Sequence, residues 1–102
     1  MLLKDKIAVI TGGAKGMGEA TSKKFAEQGA TVVIADLDFN AARIVADNIQ
    51  SAGGQARAYN QVDVTNQSTI KATVDQAMEE FGRIDILVNC AGGTFGLTGV
   101  VY

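Results

Sequence analysis

Four glycines lie within eight residues near the start of the chain, in the stretch TGGAKGMG at residues 11–18. The apolar run IAVI at residues 7–10 comes directly before them and predicts a buried strand. Glycine adds no side-chain packing and loses more backbone entropy on folding than other residues, so the cluster indicates that main chain must be approached closely here. A helix that begins at this point would offer unpaired N–H groups and the positive end of its dipole. The stretch therefore predicts a phosphate or diphosphate site.

Three of these glycines can have separate tasks. Gly12 allows a sharp turn, Gly16 lets a diphosphate approach without a Cβ in the way, and Gly18 packs the helix against the sheet. For the glycines alone, a tight strand-to-helix loop without a ligand is the alternative. A P-loop fits less well, because Glu19 stands where its motif requires lysine. The GxGxxG spacing of many dinucleotide enzymes is absent too, since the pattern here is TGxxxGxG.

Asp36 is the second residue that could bind a nucleotide, twenty positions after Gly16. A carboxylate there can accept hydrogen bonds from both ribose hydroxyls of an adenosine; the alternative is a solvated loop acid. At ~4 Å it would oppose a 2′-phosphate by roughly 4 kcal/mol per charge pair at an effective dielectric near 20, before salt screening. NAD is therefore favoured over NADP. Lys15 could attract a 2′-phosphate or simply lie in solvent, and we expect Asp36 to prevail.

The elements that would position these groups alternate along the chain. Strand-like runs occupy residues 7–11, 31–35, 55–59 and 84–89, with helical patterns between them. The predicted helical stripes are Gly18, Ser22, Phe25 and Gly29; Ala42, Val45, Ala46 and Ile49, with Asp38 as N-cap; and Ile70, Val74, Ala77 and Phe81. Strands one, two and four are almost continuously apolar, as in parallel sheets covered on both faces, and the more polar third suits an edge. The pattern predicts a Rossmann-type doubly wound α/β sheet of four strands and three helices, in the strand order 3-2-1-4.

Composition limits the remaining possibilities. The 102 residues, 47% of them hydrophobic, suit one domain with a core, and the formal charge of −2 without a basic block argues against nucleic acid as a partner. No apolar stretch approaches the ~20 residues that cross a bilayer, so we expect no membrane association. The lone Cys90 fits a reducing compartment, which predicts the cytoplasm. The absence of histidine excludes Ser-His-Asp chemistry and zinc sites with imidazole ligands.

Together the motifs resemble the classical short-chain dehydrogenase/reductase family. The chain has TGGAKGMG for the family's TGxxxGxG, Asp36 closing the second strand, Asp63-Val64 after the third, and NCAG at residues 89–92 for NNAG. The resemblance covers all 102 residues. It implies the N-terminal part, residues 1–102, of a single NAD(P)-binding Rossmann domain. The implied activity is hydride transfer between a nicotinamide cofactor and a small alcohol or ketone substrate.

The resemblance also implies roles for individual residues. Met17, where the family usually has Ile, would donate its N–H and lie near the nicotinamide, and Leu37 would lie beside the ribose. Asp63 and Val64 would border the adenine, although Asp63 could instead cap the third helix. The cofactor-binding residues predicted from the motifs and the resemblance together are Gly12, Lys15, Gly16, Met17, Gly18, Asp36, Leu37, Asp63, Val64, Asn89, Ala91 and Gly92.

The NCAG segment is the last of these motifs. Asn89 would tie the fourth strand to its neighbours, while Ala91 and Gly92 leave room for the cofactor sugar. Cys90 replaces the second Asn of NNAG. A small buried apolar residue is the expected role for Cys90, rather than a reactive thiol.

The residues that would deliver a proton are missing from the sequence. The family uses a tyrosine with a lysine four residues later, in a YxxxK motif, and an upstream serine. Here Tyr59 is followed four places on by Asp63, and Tyr102 is the last residue. We therefore expect the catalytic part to lie outside this chain, and the 102 residues alone to be inactive. A non-catalytic nucleotide-binding or interaction module is the alternative function.

The fourth strand raises a related expectation. An apolar strand at residues 84–89 would have an open edge, and residues 92–102 show no evident element. We therefore expect association with further copies of the chain as a homo-oligomer.

Overall fold

One mixed sheet with helices on both faces organises the part of the chain that the computed structural model describes, residues 2–60, 66–90 and 99–100. The strands are β1 (Ile7–Thr11), β2 (Thr31–Asp36), β3 (Gln55–Asn60), β4 (Ile86–Asn89) and β5 (Gly99–Val100). The helices are α1 (Gly16–Glu27), α2 (Phe39–Ser51) and α3 (Asn66–Phe81). The order across the sheet is β3-β2-β1-β4-β5.

The first four strands are parallel, which confirms the predicted order 3-2-1-4 and the edge position of β3. Thr11 of β1 pairs with Ala35 of β2 on one side and Asn89 of β4 on the other. The carboxyl ends of these strands therefore meet at one edge of the sheet. Ligands of open α/β sheets bind beyond this edge.

Successive residues of the central strands face opposite layers of core. Ala8 and Ile10 of β1 pack in the cluster that includes the α2 stripe, whereas Val9 packs in the cluster that includes Ala77 of α3. All four residues of the predicted α2 stripe are buried, and Phe25 of α1 packs against the same core. Coverage on both faces explains why these strands are continuously apolar.

The fourth strand begins two residues later than predicted. Asp85 is the reason, because its carboxylate accepts a hydrogen bond from the backbone N–H of Ile7 at 2.8 Å. The backbone N–H of Asp85 donates to the Ile7 carbonyl at 2.9 Å. A side chain thus takes the place of a strand carbonyl, and regular pairing of β4 starts at Ile86.

The expectation that residues 92–102 form no element is wrong at Gly99–Val100. These two residues form β5, which pairs antiparallel with Leu87 and Val88. The open edge expected at β4 is therefore partly covered, and β5 is the outer strand. A strand of two residues is too short to show an alternation of apolar and polar side chains, so the sequence pattern does not predict β5. Within the described ranges, no helix is long and apolar enough to cross a membrane.

Candidate functional site

The glycine loop connects the carboxyl end of β1 to the start of α1. Gly12 has a φ of 70°, and its N–H donates to the Ala35 carbonyl at 2.6 Å. The chain thus turns directly after β1 while staying bound to β2. A side chain would be strained at this φ, which accounts for glycine at the turn.

Gly16 and Gly18 meet opposite surroundings. A Cβ on Gly18 would lie 2.0 Å from the Gly12 carbonyl oxygen, so the helix and the loop touch through bare backbone. Among the residues that the structure describes, a Cβ on Gly16 would meet nothing within 4 Å, and Gly16 has a φ of 55°. The backbone of Gly16 therefore faces open space that a side chain would fill, as close approach by a ligand requires.

Gly13 of the loop and Ser22 of α1 form a second contact between the loop and the helix. The motif assigns a role to neither residue. A Cβ on Gly13 would lie 3.0 Å from the Ile10 carbonyl oxygen, from Ile34 and from the Ser22 hydroxyl. The fully buried Ser22 hydroxyl lies 2.8 Å from the Gly18 carbonyl oxygen and 3.2 Å from that of Gly13. In the sequence, the polar Ser22 within an otherwise apolar helix stripe is the feature that could have indicated this contact between loop and helix.

The first turn of α1 begins without a side-chain cap. Lys15 is the N-cap residue, with extended backbone, and its side chain makes no capping hydrogen bond. The backbone N–H groups that start a helix have no partner within the helix and attract anions together with the helix dipole. The start of α1 can therefore hold a phosphate group.

Asp36 lies at the end of β2 and holds the glycine loop from the other side. One carboxylate oxygen accepts from the Ala14 N–H at 3.2 Å, and the other accepts from the Asp38 N–H at 2.9 Å. Asp36 is half-buried and is bonded to the backbone of the glycine loop and of the start of α2. A carboxylate has about four lone-pair positions, and two backbone bonds leave acceptors for a ribose diol.

Lys15 forms an exposed ion pair. Its ammonium lies 3.2 Å from a carboxylate oxygen of Asp38, although both side chains are well exposed. Asp38 also caps α2, as predicted, because its carboxylate accepts from the Ala41 N–H at 3.1 Å. The bond from Ala41, and then the one from Lys15, hold the pKa of Asp38 below its ordinary value.

Met17 and Leu37 are large apolar side chains exposed at this end of the molecule. Met17 is 61% exposed and Leu37 is 56% exposed. Met17 follows Gly16 in the first turn of α1, and Leu37 follows Asp36 at the end of β2. Both predicted contact residues are thus accessible to a ligand placed between these two elements.

Asn89 ties β4 to β1. Its side-chain oxygen accepts from the hydroxyl of Thr11 at 2.8 Å, and the Cys90 N–H donates to the Thr11 carbonyl at 2.8 Å. The Thr11 side chain is fully buried, and no role was predicted for it beyond the motif. Burial raises the pKa of the half-buried Cys90 thiol, as expected for an unreactive packing residue.

The structure therefore brings together most of the predicted residues. Those at the carboxyl-end edge are Gly12, Lys15, Gly16, Met17, Gly18, Asp36, Leu37 and Asn89. Asp63, Val64, Ala91 and Gly92 lie outside the described residues, and their roles stay predictions.

Two cavities lie at the other end of the molecule, between the C-terminal ends of α1 and α2. Their volumes are about 490 and 430 Å³, and both are lined by Ala26, Gly53 and Gly54. No residue of the glycine loop lines either cavity. The glycine loop therefore lies apart from these two cavities.

Comparison with known proteins agrees with this geometry. The family model described as short chain dehydrogenase matches residues 6–99. The 7alpha-hydroxysteroid dehydrogenase of Escherichia coli (strain K12) is 44% identical over 91 residues, which are 89% of this chain and 35% of that protein. The chain spans about a third of the length of the curated relatives it matches.

Solved structures give the same family and two cofactors. A 7α-hydroxysteroid dehydrogenase complexed with NADH and 7-oxo glycochenodeoxycholic acid matches with a TM-score of 0.82 and 44% identity, over 89% of this chain and 35% of that one. A metagenomic short-chain oxidoreductase in complex with NADP matches with a TM-score of 0.78 and 32% identity, over 85% of this chain and 39% of that one. Similar proteins thus bind one or the other nicotinamide dinucleotide.

Proposed function

The chain belongs to the short-chain dehydrogenase family, and we propose that it supplies the adenine and diphosphate half of the NAD site in an oxidoreductase of that family. The observation that carries this proposal is the open backbone at Gly16 beside the uncapped first turn of α1. The proposed reaction is hydride transfer between the nicotinamide and a small alcohol or ketone.

The residues present fit the cofactor. The diphosphate would lie against Gly16 and the first N–H groups of α1, since an anion there satisfies unpaired donors. Asp36 would bind the adenosine ribose through its remaining lone pairs. Asp63 and Val64 would border the adenine, and Asn89, Ala91 and Gly92 would line the nicotinamide half. The nicotinamide itself supplies the hydride chemistry, so the task of these residues is to bind and orient it.

NAD is the proposed cofactor because of the charge of Asp36. A 2′-phosphate beside this carboxylate would place like charges together, which costs affinity even after screening. Lys15, the opposing cation, is paired with Asp38.

Turnover requires groups that the 102 residues do not contain. No tyrosine in the sequence has a lysine four residues after it. Tyr59 cannot substitute, because it donates to Glu80, and burial followed by that bond raises its pKa. We propose that the acid, the base and the substrate pocket come from residues outside this chain. A nucleotide-binding module without turnover is the second candidate, favoured by the same missing motif.

The test is calorimetric titration of the chain and of Asp36→Ala and Asp36→Asn with NAD and NADP. We expect the wild type to prefer NAD, and both variants to reduce that preference about tenfold or more, equivalent to about 1.4 kcal/mol. Asp36→Asn can still accept a backbone hydrogen bond, so it separates the charge from the attachment of the loop. An unchanged NAD/NADP ratio in both variants would contradict the ribose role. Cytoplasmic location and homo-oligomeric assembly stay predictions.

A further inference from the structure

Asp38 lies next to Asp36, the proposed ribose-binding residue, and no motif assigns it a role toward the cofactor. Its backbone N–H donates to one oxygen of Asp36, while the N–H of Ala14, the neighbour of Lys15, donates to the other. Asp36 therefore has the lysine of the glycine loop on one side and Asp38 on the other. The Lys15–Asp38 ion pair, at 3.2 Å, closes this arrangement.

Lys15 is the only cation within the stretch TGGAKGMG. An ammonium group beside the ribose could bind a 2′-phosphate as a point charge. In the structure this ammonium is instead directed to the Asp38 carboxylate. Asp38 is itself held in place, since its other carboxylate oxygen accepts from Ala41 N–H and caps α2.

We propose that Asp38 is a specificity-determining residue that disfavours NADP by holding Lys15 in an ion pair, away from the position of a 2′-phosphate. This inference rests on the proposed function, because it concerns the same cofactor site. Two acidic residues would then disfavour NADP in different ways. Asp36 repels the 2′-phosphate directly, and Asp38 keeps the ammonium of Lys15 from offsetting that repulsion.

The size of the effect follows from exposure. The side chains of Lys15 and Asp38 are 68% and 45% exposed, and pairs of this kind are weak. Releasing Lys15 from the ion pair should therefore raise the affinity for a ligand with a 2′-phosphate by about fivefold at most. The change should shrink as salt is added, because exposed charges are screened.

The experiment is a double-mutant cycle with Asp38→Asn, Lys15→Gln and the double variant. The probes are adenosine 2′,5′-bisphosphate, which carries the 2′-phosphate, and AMP, which does not. Asn caps helices as well as Asp does, so Asp38→Asn removes the charge and keeps the start of α2. Asp38→Ser, a second uncharged cap, guards against an effect peculiar to Asn.

We expect Asp38→Asn and Asp38→Ser to tighten binding of the bisphosphate about threefold to fivefold at low salt, with less than about a twofold change for AMP. In the Lys15→Gln background the gain should fall below about twofold, because there is no cation to release. An equal gain in both backgrounds would overturn the inference, since Asp38 would then act by direct repulsion. No gain in either uncharged variant would overturn it as well.

A second readout does not depend on ligand binding. NMR titration of the Asp38 carboxyl should show its pKa rising in Lys15→Gln relative to the wild type, and an unchanged pKa would refute the ion pair. The outcomes separate the two proposals. Failure of the wild-type chain to bind either probe or NAD would contradict the proposed function. Normal NAD binding without coupling between Lys15 and Asp38 would contradict only this inference.

Discussion

At the scale of single residues, the loop glycines meet different physical demands, although the motif writes them alike. Gly18 is required by the protein itself, because a Cβ would lie 2.0 Å from the Gly12 carbonyl oxygen. Gly16 is required only by its φ of 55° and by whatever occupies the open space beside it. A substitution at Gly16 can therefore separate ligand binding from folding.

Gly16→Ala tests this separation, with Gly82→Ala as the matched control. Gly82 has a φ of 81°, and a Cβ there also meets nothing within 4 Å in the described part of the chain. Both variants should lower the free energy of unfolding by about 1 kcal/mol, the strain of alanine in the left-handed region. Only Gly16→Ala should weaken NAD binding, by about tenfold or more, since its methyl group occupies the space of the diphosphate. Urea unfolding and calorimetry give the two quantities, and equal NAD affinity in both variants would argue for another binding mode.

Some contacts of individual residues could be predicted from the sequence and others could not. The glycine spacing and Asp36 are enough to predict a cofactor site, because the tasks proposed for them follow from short-range geometry. The Lys15–Asp38 pair and the attachment of Thr11 to Asn89 join residues on different elements. No local pattern encodes such contacts, since they depend on how strands and helices come together.

At the scale of elements, period and apolarity predicted β1, β2, β3 and the four-residue stripe of α2 well. The start of β4 could not be predicted, because it depends on a contact between residues 78 positions apart in sequence. The Asp85 carboxylate, in place of a strand carbonyl, accepts the hydrogen bond from the Ile7 N–H. β5 could not be predicted either, since a two-residue strand exists only through its pairing with Leu87 and Val88. Elements formed by long-range pairing are thus the ones that were missed.

The attachment of β3 to α3 yields a second prediction. The hydroxyl of Tyr59, nearly buried on the edge strand, donates to Glu80, which also pairs with Arg57 at 3.1 Å. Tyr59→Phe should lower the free energy of unfolding by about 1 kcal/mol, because one Glu80 oxygen loses its donor. The control Glu80→Gln keeps an acceptor for Tyr59 and removes the exposed ion pair, so it should have a smaller effect. Urea unfolding of the two variants and the wild type measures these differences. A Tyr59→Phe variant as stable as the wild type would contradict the attachment of β3 to α3.

The junction of β1 and β4 yields a prediction about pH. The bond from the Ile7 N–H, and then the contact with Arg83, lower the pKa of Asp85. A carboxyl with a lowered folded pKa contributes stability above its unfolded pKa of about 3.9, and that contribution is lost as the pH falls through the folded value. Asp85→Asn should therefore be less stable than the wild type at neutral pH, with a gap that narrows in acid. Urea unfolding across this range measures the gap, and a gap independent of pH would contradict the account.

At the scale of the whole molecule, three strand ends converge on one edge of the sheet. The ends of β1 and β2 bring Gly12 and Asp36 together, and the end of β4 adds Asn89 through Thr11. The helix that follows β1 starts at this same edge. The order 3-2-1-4, predicted from apolar patterns, is sufficient to place these residues together, so the position of the site follows from the topology.

The opposite end of the molecule offers a contrast. The two cavities near the C-terminal ends of α1 and α2 have volumes of about 490 and 430 Å³, and no residue of the glycine loop lines them. Volume alone would favour these cavities as a ligand site. Backbone donors and the charge of Asp36 are the reasons for proposing that the cofactor binds at the carboxyl-end edge instead.

An NMR titration of the backbone amides with NAD distinguishes these two ends most directly. The account predicts that the largest shifts fall on residues 12–18 and on Asp36 to Asp38, where the diphosphate and the ribose would lie. Shifts confined to Ala26, Gly53 and Gly54, or no shifts at all in the folded chain, would contradict it.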